Sequence, residues 1–224
     1  MLRNDRYEIG ACDIVAVIME TTRRAGRPRS FDPDEALHRA LMVFWEHGYE
    51  GASMALLLKA TGLNAPQLYR AFGPKERLFE RVVRLYQDEY GFGIRADLPL
   101  VDAVVEYLER AAREFTTEPG LGCLVSTGLL ATGKEGSAAA AVVKAERDHA
   151  LASLHDRIAQ AIQDGELPAD VDAPGLARTI GALIQGMSVQ ARDGAKFDDL
   201  AAITKSARTM LQQLSAPLSR PESN

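Results

Sequence analysis

From residue 32 onward, apolar side chains recur at intervals of three and four, and no run alternates apolar with polar residues between hairpin turns. This pattern predicts an all-α chain of about nine helices. "SFDPDEALHRALMVFWEHGYEG" supplies the first: Asp32 as cap, Pro33 at the first helical position, Asp34 and Glu35 in the first turn, and Leu37, Leu41 and Phe44 on one face. Gly48 is expected to end it. Ser53 opens a short helix, "MALLLKAT", which stops at Gly62. Asn64 then caps a second short helix, "APQLYRAF", in which Pro66 lies in the first turn, where its missing N–H costs nothing. After Gly73 and Pro74 a long amphipathic helix runs from Lys75 towards Tyr90. Five more follow in "LPLVDAVVEYLERAAREF", "GCLVSTGLLAT", "SAAAAVVKAERDHALASLHDRIAQAIQDG", "DAPGLARTIGALIQGMSVQARDG" and "FDDLAAITKSARTMLQQL".

The two short helices around "TGLN" have the spacing of a helix-turn-helix spanning 53–72. Leu63 and Leu68 are expected to face a small core with Leu57, Phe44 and Phe72. Ala65, Gln67, Arg70 and part of Tyr69 are left facing outward. A Gln amide can pair with adenine, an Arg fork with guanine, and a Tyr hydroxyl with phosphate. A plain corner between helices has the same spacing, so this feature alone leaves both readings open.

Charge sharpens the picture. The net formal charge is -5, yet residues 21–84 carry 11 basic against 7 acidic side chains and residues 85–224 carry 13 against 20. A locally basic segment on an acidic protein fits one part meeting a polyanion. With 46% hydrophobic and 25% charged residues, composition excludes wholesale disorder and fibrous architecture. Cys12 and Cys123 are too few for a disulfide framework, and "IVAVIM" at 14–19 is too short to span a membrane, so a cytoplasmic setting is expected. Met19 is a candidate start of translation. Residues 1–25 are read as a disordered extension and 216–224 as a flexible tail.

The basic "GRPR" arm, the run through "GYE" to Ser53, the "TGL" turn, "LYRAF" and "KERLF" occur in one order across residues 27–79. In this the segment resembles the DNA-binding domain of the TetR family of bacterial transcriptional regulators. The resemblance implies a DNA-binding domain over 26–80 and an effector-binding and dimerisation domain over 81–215. It implies phosphate contact by Ser53, Tyr69 and Lys75, and major-groove contact by Asn64, Ala65, Gln67 and Arg70. Arg27 and Arg29 would lie along the backbone or in the adjacent minor groove. Ala65, Ala71 and Leu56 depart from the larger or acidic residues frequent in the family, which puts one phosphate contact in doubt.

The resemblance also implies a homodimer that binds a palindromic double-stranded operator, acts as a repressor, and is released by a small-molecule effector. Gly181, Ala182, Gly186, Leu200, Met210 and Leu211 are candidates for the seam between copies; packing within one chain is the other reading of these helices. Tyr86, Tyr90, Phe92, Tyr107, Phe115, Cys123 and Leu124 are candidates for the effector cavity, although aromatic residues at helical spacing also serve as plain core. "GLGCLVS" resembles a segment of family members in which a cysteine senses electrophiles or oxidants; the apolar neighbours of Cys123 favour a buried, inert thiol.

Two rival readings rest on single features of the sequence. Glu35 with His38, and Glu146 with His149, have the Glu-x-x-His spacing of di-iron carboxylate bundles, but His38 falls off the apolar stripe. An interaction protein that keeps the fold without binding DNA rests on Ala65 alone. No nucleophile triad, phosphate loop or metal-spaced Cys/His cluster stands out, so no enzyme activity, metal or cofactor is expected.

Overall fold

A computed structural model describes residues 31–117, 120–129 and 138–215. Arg27, Arg29, Cys12, Met19, the 1–25 extension and the 216–224 tail lie outside the described residues. The described elements are all helical: α1 (Pro33–Gly51), α2 (Met54–Thr61), α3 (Ala65–Phe72), α4 (Lys75–Tyr90), α5 (Leu100–Thr116), α6 (Leu124–Thr127), α7 (Ala138–Gln163), α8 (Ala173–Arg192) and α9 (Phe197–Ser215). From Pro33 onward they belong to one compact unit. The boundary expected at residue 80 falls inside α4, which crosses it without a break.

Local chemistry sets the helix ends where the sequence marks them. The regular geometry of α1 breaks at Gly48 (φ 69°, ψ 174°). Ser53 Oγ accepts from the Leu56 N–H at 3.2 Å, and Gly62, left-handed at φ 69°, closes α2 with its N–H on the Leu58 carbonyl. Asp172 caps α8 through the Gly175 N–H. The helix expected around "GCLVSTGLLAT" has only one described turn, Leu124–Thr127.

Two packing layers follow. Around α1 and α4, Phe44, Tyr49 and Phe79 meet ring to ring, with Phe44 and Phe79 centroids 5.0 Å apart. Leu57, Leu63, Leu68 and Phe72 are buried in the same part of the fold, as the stripe predicts. The larger core, with Leu108, Ile158, Ile180 and Met187 fully buried, forms where α9 packs along α5 and α8 along α7.

Three of the residues expected at the seam between copies make contacts within this chain. Leu200 and Leu211 are 0% exposed, with their apolar surface committed to their own chain. Gly181 admits the Leu151 side chain: a Cβ at this position would stand 2.8 Å from Leu151 Cδ2. Ala182 is exposed, Gly186 has open space at its Cα, and Met210 is partly exposed. With exposed Val189, Phe197 and Leu214 they leave apolar positions on the outside of α8 and α9.

Candidate nucleic-acid interface and adjoining cleft

The α2–turn–α3 unit is held from below by Leu57, Leu63, Leu68 and Phe72, so its polar residues face out. Asn64 and Gln67 form a reciprocal capping box. Asn64 Oδ1 accepts from the Gln67 N–H at 3.0 Å, and Gln67 Oε1 accepts from the Asn64 N–H at 3.0 Å. A bidentate grip on adenine needs both ends of a Gln amide, and here the oxygen end is engaged by backbone. Base reading through Gln67 therefore competes with the cap, whereas Arg70 is exposed. Tyr69 is 51% exposed, and Ala65 and Ala71 are half-buried.

Lys75 begins α4 with its ammonium 4.5 Å above the Tyr49 ring centroid, and burial lowers its pKa from the ordinary value. Burial, aided by a hydrogen bond with Glu76, pushes Tyr49 up to about 12. Arg81 stacks over Phe72 at 4.9 Å and donates to the Ala71 carbonyl at 3.0 Å, fixing the end of α3 onto α4. Ser53, Asn64, Ala65, Gln67, Tyr69, Arg70 and Lys75 thus lie along α2, α3 and the first residue of α4, with Ser53 Oγ occupied as a cap acceptor while its proton can still be donated.

At its other end α4 walls a cleft that is partly open to solvent. Tyr86, Tyr90, Phe92, Tyr107, Phe115 and Cys123 line it together. Leu124 does not: it is fully buried and stands behind the wall that its neighbours Val125 and Ser126 complete. The aromatic periodicity did not reveal the polar rim. Gln87 Nε2 donates to Glu146 Oε2 at 2.9 Å, joining α4 to α7, and Arg147 Nη1 donates to the Val125 carbonyl at 2.8 Å. Burial raises the Tyr86 and Tyr107 phenols, the latter to about 12, and the adjacent Cys123 adds to both shifts.

Behind the cleft, Trp45 of α1 packs edge-on against Tyr86 and Tyr90 at 5.0 and 4.9 Å. Its Nε1 donates to the Gly122 carbonyl at 2.9 Å. The hydrogen bond carries no sequence signal beyond Trp45 being the sole tryptophan, because its acceptor is a backbone carbonyl.

The residues of the di-iron alternative are dispersed into other pairs: Glu35 with Arg39, His38 with Glu89, and Glu146 with Gln87. Among the described residues, no group of three or more His, Cys, Asp or Glu side chains could hold a metal ion, and no helix is long and apolar enough to cross a membrane.

Comparison with known proteins identifies the family. Residues 36–82 match the family described as bacterial regulatory proteins, tetR family, and residues 98–210 match the tetracyclin repressor-like C-terminal domain. The chain is 34% identical to the HTH-type transcriptional repressor ComR of Escherichia coli over 184 residues, covering 80% of this chain and 88% of that one. It is 28% identical to the repressor BdcR of the same organism, covering 88% and 100%. A cysteine-substituted form of the TetR family regulator CifR, solved with 26-bp double-strand operator DNA, superposes with a TM-score of 0.77 at 36% identity, covering 82% of this chain and 98% of that one. Two matched domains in order, and relatives aligned over most of their length, place this chain in the TetR family of bacterial transcriptional regulators.

Proposed function

We propose that the chain is a homodimeric repressor that binds a palindromic operator in double-stranded DNA and releases it when a small molecule fills the cleft. The observation that carries this reading is the single helix α4, which has the Lys75 end beside the recognition helix and Tyr86 and Tyr90 in the cleft wall. Occupancy of the cleft and presentation of α3 therefore bear on one rigid element. An effector acts only through differential affinity for the bound and released states.

In this reading residues 26–80 bind DNA and 81–215 bind effector and dimerise, in the cytoplasm. Arg70 reads base edges, Asn64 and Gln67 brace the start of α3, and Ser53, Tyr69 and Lys75 contact phosphate, with Arg27 and Arg29 as an arm. Ala182, Gly186, Val189, Met210 and Leu214 supply the apolar seam, which brings two recognition helices to the roughly 34–36 Å spacing of successive half-sites.

A gel-shift titration with DNA flanking its own gene tests the proposal; absence of sequence-selective binding at moderate salt refutes it. Arg70→Ala should relax base preference, at a discrimination loss of roughly 1–3 kcal/mol. Lys75→Ala should weaken all sequences alike and reduce the salt slope by about one. Indistinguishable effects of the two changes would remove the division of labour.

A further inference from the structure

The last turn of regular α1 leaves backbone carbonyls without partners inside the helix, and these carbonyls are captured from a distance. Arg192, the final residue of α8, donates from Nη1 to the Trp45 carbonyl at 2.9 Å and to the Leu121 carbonyl at 3.1 Å. Its Nη2 donates to the Glu46 carbonyl at 2.9 Å. Trp45 Nε1 reaches the Gly122 carbonyl, and one residue on, the Cys123 N–H donates to Ser188 Oγ of α8 at 2.7 Å. Gly122 lies at φ +66°, and a Cβ there would stand 2.5 Å from the Ser188 carbonyl oxygen, so segment 121–123 is pressed directly onto α8. Beyond it, the Tyr49 N–H donates to the Gly128 carbonyl at 2.8 Å. The end of α1, the segment leading into α6 and the last turn of α8 are thereby stapled together.

The two sides of this staple have different roles. The face of α8 carrying Ala182, Gly186 and Val189 belongs to the seam between copies in the function proposed above, on which this inference rests. Helix α1 carries the reading unit, because it packs along both α2 and α4, and α4 in turn packs on α3. We propose that Arg192 and Trp45 are positioning residues for operator recognition: they fix the angle between the dimerising helix and the reading unit, and so set the half-site spacing that the dimer accepts.

Neither side chain lies on the outward face of α2 or α3, so neither touches a base. The planar guanidinium of Arg192 serves three carbonyls from two nitrogens, which a lysine ammonium in the same place could not reproduce. Arg192 is exposed, so its bonds compete with water and contribute more to orientation than to global stability. Trp45 is 8% exposed and packs against the cleft tyrosines, which ties the staple to the cleft wall.

The test uses the full chain, wild type and the variants Arg192→Gln, Arg192→Lys and Trp45→Phe. Each is titrated by fluorescence anisotropy at one salt concentration against three duplexes: the operator, the operator with two base pairs inserted between half-sites, and the operator with a substituted base in one half-site. Two inserted base pairs rotate one half-site by about 70° around the duplex. The expected result is that Arg192→Gln and Trp45→Phe bind the natural spacing about tenfold more weakly and lose most of the wild type's preference for it. The penalty for the substituted base should stay as in wild type, and sedimentation should still show dimers. Arg192→Lys should fall between. Trp45→Phe keeps a ring against Tyr86 and Tyr90 while deleting the Gly122 bond, so it tests the staple even if Arg192→Gln misfolds. Unchanged spacing preference in folded Arg192→Gln and Trp45→Phe, or an equal loss on all three duplexes, would overturn the proposal. Wild-type dimers that bind without any spacing preference would overturn it while leaving operator binding intact; wild type that binds no duplex selectively would overturn the repressor reading as well.

Discussion

Replacing Glu166 with alanine would strand the Arg157 guanidinium in the core. Arg157 is 8% exposed and Glu166 29%; Nη2 donates to Glu166 Oε1 at 3.0 Å and to the Leu98 carbonyl at 2.7 Å. The second oxygen of Glu166 accepts the Leu100 N–H at the start of α5, so one carboxylate both neutralises a buried cation and caps a helix. Arg157 Nε and Nη1 are already buried without partners. Removing one member of a buried pair costs about 3–5 kcal/mol, and partial water access at Glu166 puts Glu166→Ala near the lower end, about 3 kcal/mol. For a chain of this size that is a fall in Tm of roughly 6–12 °C. Arg157→Met is a different perturbation. It deletes the cation with its unpartnered donors, keeps an apolar stem, and leaves Glu166 partly hydrated on its cap, so the loss should be near 1 kcal/mol, roughly 2–4 °C. Thermal unfolding followed by circular dichroism at one protein concentration measures both, because dimers melt in a concentration-dependent way. Arg157→Met proving as costly as Glu166→Ala would show that the buried charge is not what the carboxylate neutralises.

Two glycines separate conformational strain from crowding. Gly62→Ala meets nothing closer than Arg39 Nη1 at 3.9 Å and should lose only the left-handed penalty of about 1–2 kcal/mol. Gly122→Ala adds the collision with Ser188 and should lose about 3 kcal/mol or more; equal urea midpoints for the two would refute the difference. The Asp34 carbonyl and then the Glu89 carboxylate, which accepts from Nε2 at 2.5 Å, raise His38 above its ordinary 6.5. A folded-state value above the unfolded one means that the stabilisation is complete below 6.5 and lost as pH rises through the raised value. The stability difference between wild type and His38→Gln should therefore be largest below the ordinary 6.5 and shrink as pH rises above it; a difference independent of pH contradicts this assignment.

What the sequence revealed was what each segment encodes locally. Gly62, Asn64 and Asp172 mark helix ends through their own backbone or side-chain chemistry, and they act there as they read. The apolar stripe on α1 and the aromatic spacing of α4 and α5 likewise point where the periodicity says. Periodicity does not say whose core a stripe enters. Leu200 and Leu211 look the same on a helical wheel whether they meet α5 or a second copy, and only assembly of the chain turns them inward. The polar rim of the cleft and the Arg192 staple were illegible for another reason. Their partners are distant side chains and main-chain carbonyls, which every residue possesses.

Trp45 has an optical consequence. It is the only tryptophan in the chain, and its indole lies against Tyr86 and Tyr90 with its N–H on the segment that leads to Cys123. Each protomer thus contains one indole emitter at the back of the cleft, with two tyrosines close enough to pass it their excitation. A compound entering the cleft or a shift of α1 would alter the colour and yield of a single emitter, so unlabelled protein can be titrated with candidate effectors without first knowing the operator.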